Sequence, residues 1–158
     1  MFLDCCALVR RAVYDLRSEF GFILGRGNQA YQYDTLPIDL EFEQMKPGDL
    51  IFYSASYYKP KHIQKHDMVH IEVYLGGTKS IGSRTCIGEV SYHDDFKFST
   101  TSYHSIKYHY KSIDTWLDGI CRTWCADHAW NVSKYSVSEG NGASLVMHFL
   151  NKYGMDEI

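Results

Sequence analysis

Residues 68–77 read Met68-Val69-His70-Ile71-Glu72-Val73-Tyr74-Leu75-Gly76-Gly77. Strict alternation sends Val69, Ile71, Val73 and Leu75 to one face and His70, Glu72 and Tyr74 to the other, the two-residue period of a strand. Gly76-Gly77 supplies turn residues, so residues 79–84 are expected to return antiparallel as the second arm of a hairpin. Upstream, Lys46-Pro47-Gly48-Asp49 places Pro and Gly as a type II turn requires and leads into a short apolar strand, Leu50-Ile51-Phe52-Tyr53. Further strands are expected at 88–92 and 103–110. The second of these reads as two-faced, Tyr103, Ser105, Lys107 and His109 against His104, Ile106, Tyr108 and Tyr110.

In front of the strands lies one helical pattern. Cys5, Leu8, Val9, Ala12, Val13, Leu16 and Phe20 recur at helical spacing over residues 5–20. Asp4 is placed as its N-cap and Gly21 as its stop. Residues 21–44 read as an irregular, tyrosine-rich connector. Short helical pieces are expected at 114–125 and 143–153. A leading helix followed by a run of antiparallel strands is an α+β architecture. The expected organisation is one domain over residues 1–130 and a C-terminal extension over 131–158 carrying a short helix.

The chain has 158 residues, a net charge of −3 and 13 tyrosines. That length suits one domain with a real core. The balance of charge gives no basic stripe, so neither nucleic acid nor an anionic membrane surface is an expected partner. No apolar run approaches the roughly 20 residues that span a bilayer. Phe2 and Leu3 give way at once to Asp4, which does not suit a signal-peptide core. The five cysteines, Cys5, Cys6, Cys86, Cys121 and Cys125, lack the spacing of a disulfide scaffold. The expected setting is a reducing, cytoplasmic compartment.

Two cysteines at a helix start invite a chemical reading. A thiol attacks only as its thiolate, and helix N-termini favour an anion. Cys5 occupies that position, and His70, on the more polar face of its strand, is the candidate base. Cys6 points about 100° away around the helix and is expected to pack inward.

Three ordered blocks carry a resemblance: Asp4-Cys5-Cys6-Ala7-Leu8-Val9, Met45-Lys46-Pro47-Gly48-Asp49-Leu50-Ile51-Phe52, and His70-Ile71-Glu72-Val73-Tyr74-Leu75-Gly76. Over about residues 4–82 the chain resembles the NlpC-type family of papain-like cysteine peptidases. The resemblance implies a helix bearing the cysteine, packed on an antiparallel sheet bearing the histidine. It implies cleavage of an amide or isopeptide bond in a peptide or amide substrate, with no cofactor. Cys5 would be the nucleophile and His70 the general base and acid. The Cys5 backbone N–H would help hold the oxyanion.

The chain also departs from the pattern. Cys6 and Ala7 stand where the family has Ser-Gly, and Glu72 stands where it has glycine. The family's third polar residue, which orients the histidine, belongs on the returning strand, where the hairpin is expected to put Gly82 or Ser83 opposite His70. Neither can fix an imidazole firmly, which makes Glu72 the candidate orienting residue. A carboxylate there should raise the His70 pKa, and on a neutral-base mechanism that pKa sets the acid limb of the pH–rate profile. Few residues precede Cys5, where the family has a longer part walling the cleft. These departures support an alternative: an inactive papain-like module, structural or binding, in an intracellular assembly, for instance a cytoskeletal or microtubule one.

Two metal readings are weaker than their simpler alternatives. His62, His66 and His70 are spaced at four, but Pro60 and the following strand favour a solvated loop. Cys121-x3-Cys125-x2-His128 lacks a fourth ligand and finger spacing. The tail from Lys134 to Ile158 lies beyond the family's extent. Its segment 142–153, with Val146, Phe149 and Leu150 on one face, is faintly similar to sequence leading into tubulin-tyrosine-ligase-like domains and offers a surface for a protein partner.

Overall fold

The computed structural model describes residues 3–59, 63–64, 66–84 and 89–121. Asp4 caps the first helix, its carboxylate accepting the Ala7 N–H at 2.6 Å, and α1 runs Cys5–Asp15. Its inward stripe is Cys6, Val9 and Val13. Leu16 and Ala12, expected in that stripe, are exposed. The reason is a break: the Leu16 backbone leaves helical geometry, and a separate turn, α2 (Arg17–Phe20), re-aims Phe20 into the core. Gly21, in the left-handed conformation at φ 74°, ends it.

Within the irregular connector lies α3 (Gln29–Asp34), capped by Asn28, whose side-chain oxygen accepts the N–H groups of Ala30 and Tyr31. The strands are β1 (Asp39–Leu40), β2 (Leu50–Tyr57), β3 (Met68–Gly76), β4 (Lys79–Ser83), β5 (Val90–His93) and β6 (Tyr103–Lys111). They form one sheet in the order β1-β6-β2-β3-β4-β5. Every described pairing is antiparallel. The molecule is therefore α+β. The expected turn before β2 is present: the Asp49 N–H bonds the Lys46 carbonyl at 3.0 Å, with Gly48 at φ 103°.

The sheet has two covered faces. Against one, α1, α2 and α3 contribute Val9, Val13, Phe20 and Ala30 to a core with Phe52, Ile71 and Trp116. Against the other, Phe42 and the segment carrying Phe96 and Phe98 cover Tyr53, Tyr74 and Tyr108.

Two bulges correct the simple alternation. Tyr53 pairs with His70 but Ser54 with Met68, so Val69 is an extra residue. Val69 therefore joins the aromatic face, and Met68 joins Ile71 under the helices. In β6, Ser54 pairs with Lys107 and Ser56 with His104, and Ser105 sits at φ 38°. That bulge puts Tyr103 on the same face as Ile106, Tyr108 and Tyr110, not opposite them.

The helix expected over 114–125 is a single turn, α4 (Asp114–Leu117), followed by Gly119 at φ 74°. The domain boundary at 130, the helix at 143–153 and the residues Pro60, His62, Cys86, Cys125 and His128 lie outside the described residues. Among the described residues no helix is long and apolar enough to cross a membrane.

Candidate active site

Cys5 is the first residue of α1 and half-buried. Its sulfur lies near enough to the His70 side chain and the Ile71 backbone N–H for both to favour its thiolate. The strand geometry explains why that N–H is available. Tyr74 directs its N–H and C=O to Asp49 and Gly48 on the β2 side, so by alternation Ile71 and Val73 direct theirs toward β4. The β3–β4 ladder reaches only Val73↔Ile81. Beyond it, the start of α1 takes the place of a strand partner.

α3 holds that start in position. Gln29 Nε2 donates to the Met68 carbonyl at 2.8 Å, and Gln32 Nε2 donates to the Cys6 carbonyl at 3.0 Å. The Cys6 thiol, 6% exposed, lies 2.9 Å from Gln29 Oε1 and 3.8 Å from the Cys5 sulfur. The Cys6 thiol stands between two acceptors, Gln29 Oε1 and the Cys5 sulfur. Cys6 is thus the packed member of the pair, as its place on the helix predicts.

His70, on β3, is 6% exposed. Its Nε2 lies 2.9 Å from Glu72 Oε1, which leaves Nδ1 as the nitrogen for the Cys5 sulfur. Same-face strand neighbours stand about 7 Å apart, so the Glu72 side chain bends back along its own strand to make this contact. Space for that comes from β4. One step beyond Val73↔Ile81, Gly82 faces Glu72. A Cβ on Gly82 would fall 2.6 Å from Glu72 Cγ and 2.9 Å from Cδ and Oε1. This corrects the register expected from sequence: neither Gly82 nor Ser83 is opposite His70. The bulge at Tyr74–Gly76 shifts the returning strand by one residue. The missing side chain at Gly82 and the added one at Glu72 occupy the same space.

The Glu72 carboxylate is fully buried and accepts from four side chains. They are His70, the Tyr53 hydroxyl at 3.0 Å, the Ser80 hydroxyl, and Arg84 through Nε at 2.7 Å and a terminal nitrogen at 3.0 Å. Burial alone would push this acid up, but the donors from His70, Arg84 and Ser80 outweigh it and hold it at about 2.

The same logic sets the other two groups. Burial pushes His70 down, yet Cys5 and Glu72 outweigh it and raise it to about 9. Cys5 is lowered to about 5 by the neighbouring Cys6 thiol, then, against burial, by His70 and the Ile71 N–H. Cys6 moves the opposite way, upward, because Cys5 beside it takes the negative charge and burial disfavours a second one. Near neutral pH the site is a thiolate–imidazolium pair backed by a carboxylate.

Around this line of groups the walls are aromatic. The Tyr53 and Phe98 rings lie 5.1 and 5.8 Å from that of His70. Tyr57 and Tyr103 pair at 5.0 Å farther along the same face. The structure places Cys5, His70 and Glu72 together, and beside them Arg84, Tyr53, Ser80, Gln29 and Phe98, which sequence reasoning did not single out. Only Tyr53, which alternates with Ile51 on the face shared by His70, carried a local signal.

The histidine series at 62, 66 and 70 does not converge in the part described. His66 Nε2 bonds Asn28 at 2.8 Å while His70 belongs to the Cys5 site. Cys121, half-buried, lies beside the Tyr31 hydroxyl, and its desolvation pushes it up to about 12. Among the described residues no group of three His, Cys, Asp or Glu side chains is arranged to hold a metal ion. No family model matches the chain, and no curated protein matches it either.

Proposed function

We propose that this chain is a cysteine hydrolase of papain-like, NlpC-type architecture that cleaves an amide or isopeptide bond. The observation that supports it is the grouping of Cys5, at the start of a helix, with His70, whose Nε2 lies 2.9 Å from the Glu72 carboxylate. Each group has a role in acyl transfer. The Cys5 thiolate attacks the carbonyl carbon, and the oxygen takes up negative charge near the helix N-terminus. There the Cys5 backbone N–H is one of the helix's leading donors, while Asp4 occupies those of Ala7 and Leu8. As the tetrahedral adduct collapses, the C–N bond breaks and His70 Nδ1 gives its proton to the departing amine. Neutral His70 then takes a proton from water, which attacks the thioester, and the carboxylic acid leaves as Cys5 thiolate is restored. Glu72 fixes the tautomer and the tilt of the ring throughout.

Glu72 and a vacant Gly82 are also the features that favour an inactive binding module. Their shared space weakens that reading, because one departure supplies the orienting group and the other makes room for it. The test is hydrolysis of a broad panel of peptide, isopeptide and small amide substrates by the parent, Cys5→Ala and His70→Ala. Turnover in the parent, lost in both variants, with an acyl-enzyme that hydroxylamine releases, is the expected result. No turnover and no trapped acyl group across the panel would leave the binding module.

A further inference from the structure

We infer that Arg84 is a positioning residue of this site, which holds the Glu72 carboxylate ionised and aimed at His70. The inference rests on the hydrolase reading for its catalytic consequence, but its physical basis is independent of turnover. Arg84 lies at the end of β4, just beyond Ser83, where its fork meets both oxygens of Glu72. Its Nε is 2.7 Å from Oε1, the same oxygen that receives His70 Nε2. The guanidinium is itself fixed, by the Asp95 carbonyl at 2.9 Å and by the Phe98 ring 4.6 Å from its central carbon. A bidentate guanidinium fixes a carboxylate in direction as well as in charge.

Glu72 needs both. A buried carboxylate without a partner neutralises itself by taking up a proton. A protonated Glu72 would no longer accept dependably from His70 and would lose its pull on the imidazolium. Of its donors, Tyr53 and Ser80 are neutral, so Arg84 is the permanent charge in the set. His70 holds the carboxylate only while it is itself protonated, so Arg84 is what keeps Glu72 ionised once His70 has given up its proton. The fork also decides the rotamer, because Glu72 must turn back along its strand, not project straight from it.

The charged and titratable groups facing His70 are Cys5 from α1, Glu72 on its own strand, Tyr53 from β2, Arg84 from β4 and His93 from β5. Tyr108 of β6 and Asp95 complete the surround. Tyr53 is pushed up by its burial first and then by Glu72, and so stays neutral across the working range. His93 is held down by burial and by Arg84. Removing Arg84 takes a like charge from the imidazolium, which alone would raise His70, and releases Glu72, whose contact at 2.9 Å is the closer one and sets the sign of the net change.

The experiment is an NMR titration of the His70 ring in the parent, Arg84→Met and Arg84→Lys, joined to the rate of Cys5 alkylation against pH. In Arg84→Met the His70 pKa should fall by about one unit or more, the low end of a close charge pair. The downfield Nε2–H signal of a carboxylate-bound imidazole should vanish, and Cys5 should alkylate more slowly at pH 6. Where turnover is measurable, kcat should fall about 10- to 100-fold at nearly constant KM. Arg84→Lys keeps the charge but not the fork, so it should recover most of the pKa and only part of kcat. A folded Arg84→Met with unchanged His70 pKa and Nε2–H signal would overturn the inference. If that variant does not fold, an Arg84→Lys indistinguishable from the parent in the Nε2–H signal and in kcat would overturn it equally. A parent without turnover would defeat the hydrolase reading alone, since the titration still reads the Arg84 effect.

Discussion

Adding one methyl group at Gly82 gives a test in which two physical effects have opposite signs. The backbone at Gly82 does not require glycine, because its φ lies outside the left-handed range. Conformational entropy alone would make Gly82→Ala stabilising by about 0.5–1 kcal/mol. The new Cβ, however, falls 2.6 Å from Glu72 Cγ and 2.9 Å from its Oε1. Glu72 cannot swing away at little cost, since its oxygens are held by Tyr53, His70, Ser80 and Arg84. Overpacking costs about 1–3 kcal/mol, and a charge-assisted hydrogen bond lost to the shift costs about 1.5–3 kcal/mol more. After the entropic gain, the net loss should be about 1.5–5.5 kcal/mol, a fall in Tm of roughly 3–22 °C for a chain of this size. Thermal unfolding measures the first consequence, and turnover or the His70 Nε2–H signal measures the second. In a Glu72→Ala background the same Gly82→Ala change should be neutral or stabilising, a coupling of the kind double-mutant cycles resolve. A Gly82→Ala protein as stable as the parent, with His70 undisturbed, would refute the shared-space account.

Other perturbations separate the neighbouring groups. Cys6→Ala should lose about 1–3 kcal/mol, because it leaves Gln29 Oε1 without its donor and empties a packed position, and should move the acid limb set by Cys5 upward from about 5. Cys5→Ala should abolish turnover with little change in thermal stability. Glu72→Gln should move the alkaline limb of the pH–rate profile downward from about 9, since the carboxylate helps His70 keep its proton. The same variant tests acid stability. A carboxylate lowered from its ordinary 4.5 to about 2 adds stability that is full above pH 4.5 and is lost as pH falls toward 2. Acid titration monitored by circular dichroism should show parent and Glu72→Gln converging across that window.

The parts of the molecule legible in the sequence are those set by local chemistry. Asp4 and Gly21 bound the helical region, Pro47-Gly48 makes its turn, and the alternation around His70 marks its strand. The short α3 carries a cap at Asn28 but only six residues, too few to show a stripe, and its Gln32 is buried for its bonds and not its apolarity. Register was the harder problem. A one-residue slip exchanges the faces of a strand, and the bulges at Tyr74–Gly76, Val69 and Ser105 each introduce one. That is why Gly82 faces Glu72 and not His70. Arg84 has no local signature at all, since its partner is set by the hairpin register. The pH logic also changes with the structure. With Cys5 at about 5 and His70 at about 9, the pair is ionised at rest, so Cys5 governs the acid limb and His70 the alkaline one. That reverses the assignment that follows from a neutral base.

The central claim is that Cys5 is a thiolate held by His70 at a helix start. It is tested by iodoacetamide alkylation from pH 4 to 10, each cysteine quantified by mass spectrometry in the parent, Cys6→Ala and His70→Ala. The account predicts that Cys5 labels far faster than Cys6 or Cys121, with a midpoint near 5, and that Cys6→Ala and His70→Ala each move the midpoint up toward the ordinary thiol value of about 8.5. A parent midpoint already at about 8.5, or Cys5 labelling no faster than those two thiols, would contradict it.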